Sequence, residues 1–119
     1  MGYTTLFEGR FDFDRQLTAE EHISLVLFSE ERHGGNLQHD PQYPDFWCQW
    51  VPTQDDKGLC WDGGEKFYNY IEWLQIIIDN FLKPWGITMN GSVDWCGEDC
   101  FRDRGTIKVT NNIITIKHK

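Results

Sequence analysis

Apolar and polar residues alternate near the start of the chain in the pattern of a strand. Between Phe7 and Phe13, phenylalanine or glycine occupies the odd positions, while acidic and basic residues fill the even ones. Side chains of a strand point alternately to its two faces, so this alternation predicts a strand with one buried face. The same period of two recurs from Ile87 to Trp95 and predicts another strand of this kind.

The segment LTAEEHISLVLFSEER has a helical period instead. Thr18 and Glu21 have the spacing of a capping box, which predicts a helix over about residues 18–32. Apolar side chains that recur at helical spacing define the face expected to be buried. The residues on this face are Ala19, Ile23, Val26 and Leu27.

A second helix is predicted after the sequence WDGGEK. From Phe67 to Phe81 the apolar residues recur every three or four positions, and Pro84 ends the pattern. Asp62 and Glu65 flank two glycines, which predicts a tight turn followed by an acidic residue near the positive end of the helix. WDGGEK is therefore interpreted first as the start of a helix, and its acids are also candidates for a binding site.

Two β-hairpins are predicted from short apolar runs that flank turn-forming residues. Phe46–Val51 and Leu59–Trp61 lie on either side of PTQDDKG. Near the end of the chain, Asn111 and Asn112 form a candidate two-residue turn. The register expected across this turn pairs Val109 with Ile114 and Ile107 with Ile116.

The order of these elements predicts an α+β fold. Strand, helix, strand, strand, helix, strand is the order of a ferredoxin-like split βαβ two-layer sandwich, and the C-terminal hairpin adds to it. The 119 residues have the size of a single domain, which we assign to residues 1–119. Residues 33–45 are rich in Gly, Pro, Asn and Asp without periodicity, so an exposed loop is expected there.

The composition describes an acidic protein with a large apolar core. Aromatic residues make up 15% of the chain, enough apolar area to offset the entropy of folding. The formal net charge of −8 disfavours direct binding of nucleic acid and favours a partner protein with a basic surface. The sequence has neither a membrane-spanning stretch nor a secretory signal, so we expect no membrane partner and a cytoplasmic location.

The cysteine and histidine residues select no catalytic or metal site. In a reducing cytoplasm the four cysteines are expected to be free thiols, and their spacing does not match common zinc sites. A zinc site would require Cys96 and Cys100 to fold back beside Cys48 and Cys60. A nucleophilic pair of Cys48 with His39 can be drawn, but nothing in the spacing selects it.

Four carboxylates near the ends of predicted strands are the main candidates for a functional surface. They are Asp62, Glu65, Glu98 and Asp99. We expect them to form an acidic face for a basic partner. In the alternative hypothesis they bind Mg²⁺ or Ca²⁺, with Asp103 as a further ligand, and support metal-dependent phosphoester or phosphodiester hydrolysis. No cofactor and no catalytic residue is assigned.

One exposed tryptophan is expected beside these acids. If Trp47 and Trp50 lie on one strand with an odd spacing, they face opposite sides of the sheet. Both cannot then be buried under the same helices, and an exposed Trp is a frequent binding hot spot. We assign Trp50 to the binding surface.

The stretches WDGGEKFYNYIEWL and MNGSVDWCGED, with GYTTLFEGRFDFDRQLT at the start, resemble a family of small uncharacterised proteins of bacteriophages and bacteria. The likeness covers nearly the whole chain and is most specific in the first stretch. It implies a compact domain of phage or prophage origin and transfers no catalytic residue. Cys96 and Cys100 depart from the polar residues expected after Trp95, which argues against a metal site common to the family.

These observations predict a small acidic, non-catalytic binding protein. We expect a phage or mobile-element accessory factor that docks on a host protein, for example one that itself binds nucleic acid. The first alternative is the metal-dependent hydrolase. The second is a structural or self-associating module, in which the open edge of the C-terminal hairpin forms a homodimer.

Overall fold

The computed structural model describes residues 3–34, 38 and 41–119. Its elements follow the predicted order of strands and helices. They are β1 (Leu6–Phe13), α1 (Ala19–Glu30), β2 (Trp50–Pro52), β3 (Gly58–Trp61), α2 (Tyr70–Ile77), a π-helical turn (Ile78–Leu82), α3 (Lys83–Trp85), β4 (Met89–Cys96), β5 (Arg104–Thr110) and β6 (Ile113–His118). The π-helical turn joins α2 to α3 without a break, so the chain from Tyr70 to Trp85 is one helical segment.

The strands form one antiparallel sheet in the order β2-β3-β1-β4-β5-β6. The register between β5 and β6 confirms the predicted hairpin, with Val109 opposite Ile114 and Ile107 opposite Ile116. Asn111 and Asn112 both have positive φ, as a two-residue turn between twisted strands requires. The mixed α and β architecture with an antiparallel sheet is therefore as predicted.

One face of the sheet is buried under the helices, and the other is exposed. In β1 and β4 the large apolar side chains at odd-numbered positions, such as Phe11 and Val93, belong to the same core as Leu25 of α1 and Leu74 of α2. The even-numbered residues of these strands, Asp94 among them, lie on the opposite face. The alternation predicted between Phe7 and Phe13 is confirmed for this face, although Phe7 itself is only half-buried.

Helix α1 has the predicted capping box but buries a different face. Thr18 accepts a hydrogen bond from the backbone N–H of Glu21, whose carboxylate accepts one from the backbone N–H of Thr18. The expected buried face was wrong, because Ile23 and Leu27 are 54% and 59% exposed. Leu25 and Phe28 are buried in their place. Apolar residues surround this helix almost evenly, so helical period alone did not select the face.

The Glu21 carboxylate makes stability depend on pH. Arg15 binds it with two hydrogen bonds of 2.7 and 2.8 Å, and these bonds lower its pKa from an ordinary 4.5 to about 2. A depressed pKa stabilises the fold above the unfolded value, and this stability is lost as the pH falls from 4.5 towards 2. We expect Glu21→Gln to flatten the fall in unfolding free energy over this range, measured by urea denaturation. Glu20→Gln, in the same helical turn, is the control, and an equal effect of both changes would contradict the assignment.

The second helix begins at Tyr70, not at the predicted Phe67. Asn69 precedes it in the left-handed conformation, so residues 62–69 form a loop rather than the first helical turn. WDGGEK therefore does not start the helix directly, and Glu65 lies away from the helix N-terminus. Gly86 ends the helical segment in the left-handed conformation.

The chain between α1 and β2 is only partly an exposed loop. His33 is 3% exposed, its Nε2 lies 3.0 Å from the carbonyl oxygen of Phe28, and its ring packs against both Tyr43 and Trp73. The expectation of an exposed loop over residues 33–45 is therefore wrong at its first residue. Residue His39 lies outside the described residues. Strand β2 begins at Trp50, four residues later than predicted, which leaves residues 46–49 outside the sheet.

Candidate functional site

The predicted acidic residues follow two strands whose C-terminal ends lie at the same end of the sheet. Strands β3 and β4 both run antiparallel to β1, which lies between them, so they run parallel to each other. Asp62 and Glu65 follow β3, and Glu98 and Asp99 follow β4. Topology therefore places the two pairs at the same end of the sheet, on either side of the N-terminal end of β1.

The loop after β4 uses its carboxylates to bind the chain that leads into β1. Asp103 accepts hydrogen bonds from the Tyr3 hydroxyl at 2.7 Å and from the Trp95 indole N–H at 2.8 Å. The bond to Asp103 raises the pKa of Tyr3, because it is lost when the phenol ionises. Glu98 accepts a hydrogen bond from the backbone N–H of Thr4. The carboxylates of Glu98 and Asp103 are therefore already used in hydrogen bonds within the protein.

The four carboxylates do not assemble into a metal site. Among the residues that the structure describes, no three His, Cys, Asp or Glu side chains lie close enough together to hold a metal ion. Asp62 instead accepts a 2.7 Å hydrogen bond from the backbone N–H of Gly64. This arrangement offers no support for the alternative metal set of Asp62, Glu65, Glu98 and Asp99, nor for Asp103 as a further ligand.

The cysteines are not four free thiols. Cys96 and Cys100 form a disulfide, which corrects the expectation and removes the zinc arrangement that needed both thiolates. Cys48 is buried, and burial raises the pKa of its thiol to about 12. A thiol held so far from ionisation is a poor nucleophile, which argues against pairing Cys48 with a histidine.

Trp50 is a core residue, so its assignment to the binding surface was wrong. It is 1% exposed, and its indole N–H donates to the carbonyl oxygen of Tyr70 at 2.8 Å. The rings of Phe7, Phe11 and Phe67 pack against it with centroids 5.3–5.7 Å away. The helix-facing side of β2 directs Trp50 into the core.

Trp47 is the exposed tryptophan, and it lines a cleft of about 320 Å³. The cleft lies between the segment before β2 and the loop after β3. Its walls carry Asp45, Phe46, Trp47, Gln49, Glu65, Lys66 and Tyr68, and we call it the Trp47 cleft. Trp47 is 47% exposed and Tyr68 is 40% exposed, so two large aromatic side chains meet solvent beside two carboxylates and one ammonium group.

Gln49 and the Asp-Gly-Gly turn join the two walls of the cleft. The Gln49 amide donates to the carbonyl oxygen of Glu65 at 2.7 Å and accepts from the Trp61 indole N–H at 2.9 Å. Gly63 has a φ of 85°, and a Cβ on Gly64 would lie 2.9 Å from the side-chain oxygen of Gln49. The two glycines therefore let the chain turn tightly against Gln49 and bring Glu65 to the cleft.

Two further residues hold the wall that Tyr68 belongs to. Lys66 and Asn69 both have a φ of 57°, which folds the loop into a compact turn. The Asn69 amide donates to the carbonyl oxygen of Pro44 at 2.9 Å, and this bond joins the loop after β3 to the segment that carries Asp45. The Tyr68 hydroxyl accepts from the backbone N–H of Tyr3 at 3.2 Å. These hydrogen bonds position the wall of the cleft that carries Tyr68.

Two other cavities lack exposed aromatic rings of this kind. One, of about 400 Å³, lies where β1 and β3 separate; its Trp95 is buried, and its Phe7 and Trp61 are half-buried. The other, of about 600 Å³, lies beside α1; its Phe28 is buried, and its Phe81 is half-buried. The Trp47 cleft is therefore the better candidate for contact with another protein.

Comparison with known proteins gives no relative of this chain. No protein-family model matches it, and neither does any curated protein or solved structure. The resemblance to phage and bacterial proteins therefore stays a prediction. In the described part of the chain, no helix combines the length and apolar character needed to cross a membrane.

Proposed function

We propose that this protein is an acidic binding module that docks on the basic surface of a partner protein through the Trp47 cleft. The observation that carries the proposal is the exposed Trp47 and Tyr68 beside Asp45 and Glu65 in one cleft. Of the residues predicted from sequence, Glu65 lines the cleft and Asp62 forms the turn that leads to it. Glu98, Asp99 and Trp50 are not part of the proposed site.

The cleft has the chemistry to hold an arginine or lysine side chain. A guanidinium or ammonium group over an indole ring gains about 0.5–2 kcal/mol, depending on how far it is desolvated. Asp45 and Glu65 can pair with the same cation, and Arg forms the stronger bidentate contact with a carboxylate. Lys66 opposes such a ligand, but two carboxylates leave the lining with a net negative charge.

The whole chain supports the same kind of partner. A formal net charge of −8 attracts a basic protein over a Debye length and repels nucleic acid. The proposed partner is a host or phage protein with a basic surface, including the kind that binds nucleic acid. The phage or mobile-element origin rests on the resemblance of the WDGGEKFYNYIEWL stretch.

We also propose that the first four strands form a ferredoxin-like split βαβ fold extended by the C-terminal hairpin. The support is the strand order β2-β3-β1-β4 with antiparallel neighbours. The cytoplasmic location remains a prediction, and in a reducing cytoplasm the Cys96–Cys100 disulfide would be transient. The metal-dependent hydrolase is not proposed, because no described group of ligands supports it.

Binding of a short arginine-rich peptide tests the docking site. We expect the peptide to bind at low salt and to weaken as salt rises, since screening reduces charge attraction. Trp47→Ala should weaken binding about tenfold or more, because it removes the aromatic surface of the cleft. Isothermal titration calorimetry measures both effects, and a peptide with glutamine in place of arginine should not bind.

Matched variants distinguish binding at the Trp47 cleft from nonspecific attraction of the peptide to the negative charge of the protein. Phe101→Ala removes another exposed aromatic residue outside the cleft and should leave the affinity unchanged. Glu65→Gln should weaken binding, and Lys66→Gln should strengthen it, because each changes the cleft by one charge in opposite directions. Equal affinity of the wild type, Trp47→Ala and Glu65→Gln would refute the proposed site.

A further inference from the structure

Among the strands that the structure describes, β6 lies at one edge of the sheet and has only β5 beside it. It contains six residues, Ile113–His118, without a proline or glycine that would interrupt pairing. Such an edge is a template for another strand unless charges or bends protect it. We propose that β6 pairs antiparallel with β6 of a second copy of this chain about a two-fold axis at Thr115, which extends the sheet across a homodimer.

The backbone of β6 directs N–H and C=O groups towards the free edge of the sheet. The backbone N–H of Lys119 donates to the carbonyl oxygen of Arg104 in β5. After the two-residue turn at Asn111 and Asn112, hydrogen-bonded and non-hydrogen-bonded residue pairs alternate along the hairpin in the register that this bond fits. Odd-numbered residues of β6 therefore bond towards β5. The backbone N–H and C=O groups of Ile114 and Ile116 point towards the free edge, where a second strand can bind them.

The side chains favour one register of self-pairing. With Thr115 on the two-fold axis, Ile114 of each copy lies opposite Ile116 of the other, and four isoleucines form one apolar patch on the helix side. Ile116 is 42% exposed in the single chain, and Ile114 is already packed against the edge of the core. Pairing would therefore continue the core of each copy into the other.

The charges of β6 are compatible with a second copy as the occupant. In this register Lys117 lies opposite Ile113, which is 68% exposed, so no like charges face each other. A shift by two residues brings Ile116 opposite Asn112 of the turn, or Ile114 opposite His118, and breaks up the apolar patch. The register centred on Thr115 is thus self-complementary, as a symmetric interface requires.

The proposed dimer does not depend on the proposed function, because the Trp47 cleft borders β2 and β3 at the other edge of the sheet. Two clefts would then lie at the outer ends of the extended sheet. If the partner presents repeated basic sites, such a bivalent protein binds it more tightly than one cleft does.

The mass in solution tests the interface. Sedimentation or light scattering should give twice the 14.1 kDa of the chain at high concentration and approach the single mass on dilution. Ile116→Lys should abolish the dimer, because it places an ammonium group against Ile114 of the other copy. Ile23→Lys replaces an isoleucine that is also exposed but lies on α1, and it should leave the dimer intact. A wild type that stays at the single mass at every concentration overturns the proposal.

Cross-linking tests the register directly. Two Thr115→Cys side chains would face each other at a pair whose Cα atoms are about 4.5 Å apart, within the range of a disulfide. Lys117→Cys is the control, because its two copies would lie about 13 Å apart along the strands. We expect a covalent dimer from the first variant under mild oxidation and only the wild-type background from the second. Equal cross-linking of both variants, or of neither, contradicts this register.

Discussion

Trp50→Ala is expected to lower the free energy of unfolding by about 3–5 kcal/mol, the range for large aromatic residues removed from cores. The side chain is 1% exposed and packs against three phenylalanine rings, so its removal leaves a cavity among Phe7, Phe11 and Phe67. The carbonyl oxygen of Tyr70 also loses its 2.8 Å hydrogen bond. Since small domains are stable by only about 5–15 kcal/mol, this loss removes a large share of the stability of the fold.

Trp47→Ala is the matched control for this change. Trp47 is 47% exposed, and a surface substitution away from special contacts usually changes stability by less than about 0.5 kcal/mol. Urea denaturation of both variants gives the comparison. If Trp47→Ala cost as much as Trp50→Ala, the core and surface roles of the two tryptophans would be wrong.

Gly58→Ala is expected to destabilise the protein by about 1–3 kcal/mol or more, as overpacking of a filled site does. A Cβ at this position would lie 2.1 Å from the backbone carbonyl oxygen of Phe11 on the neighbouring strand. The register between β1 and β3 consists of Phe11 with Leu59 and Asp12 with Gly58. In the described residues this short pairing joins the β2–β3 hairpin to the sheet, so a clash there should loosen the whole hairpin.

Gly63→Ala is the control for loss of glycine. The substitution also adds a Cβ to a glycine, but at Gly63 this Cβ would have no atom within 4 Å. Its φ of 85° leaves only the conformational cost of a non-glycine residue in the left-handed region, about 1–2 kcal/mol. Thermal denaturation of the two variants should therefore rank Gly58→Ala as the more damaging. The reverse order would show that the contact between β1 and β3 is not tight.

The strands were predictable because an alternating pattern identifies a buried face without knowledge of the partner strand. Both the alternation from Phe7 to Phe13 and the register of Val109 with Ile114 followed from side-chain period and turn chemistry alone. Helix α1 was harder, because apolar residues lie on several of its sides. The sequence did not reveal that Leu25, and not Ile23, faces the sheet.

The exposed tryptophan was misassigned because the alternation rule was applied outside a strand. Trp47 and Trp50 face opposite sides of a sheet only if both belong to β2, and β2 begins at Trp50. The residues before it follow no strand geometry. The signal that could have indicated this is the cluster of Pro and Asp residues ending at Asp45, which is typical of irregular chain.

The site itself could be predicted only in part. WDGGEK pointed correctly to a turn beside an acidic residue, and Glu65 does line the Trp47 cleft. The sequence could not assign Asp45 and Tyr68 to the same cleft. The two loops that carry them are held together by hydrogen bonds from the side chains of Gln49 and Asn69. Glu98 follows β4 at the end of the sheet where it was expected, but its carboxylate accepts a hydrogen bond from Thr4 in the segment before β1.

Chemical-shift mapping of the arginine-rich peptide on the isotope-labelled protein identifies the residues that the peptide contacts. If the Trp47 cleft is the docking site, the largest changes should appear at the indole N–H of Trp47, the side-chain amide of Gln49 and the backbone N–H groups of Glu65 and Tyr68. The backbone N–H groups from Arg104 to His118 should remain unchanged. Shifts concentrated at Glu98 and Asp99, or spread evenly over the acidic surface with none at Trp47, would contradict the account.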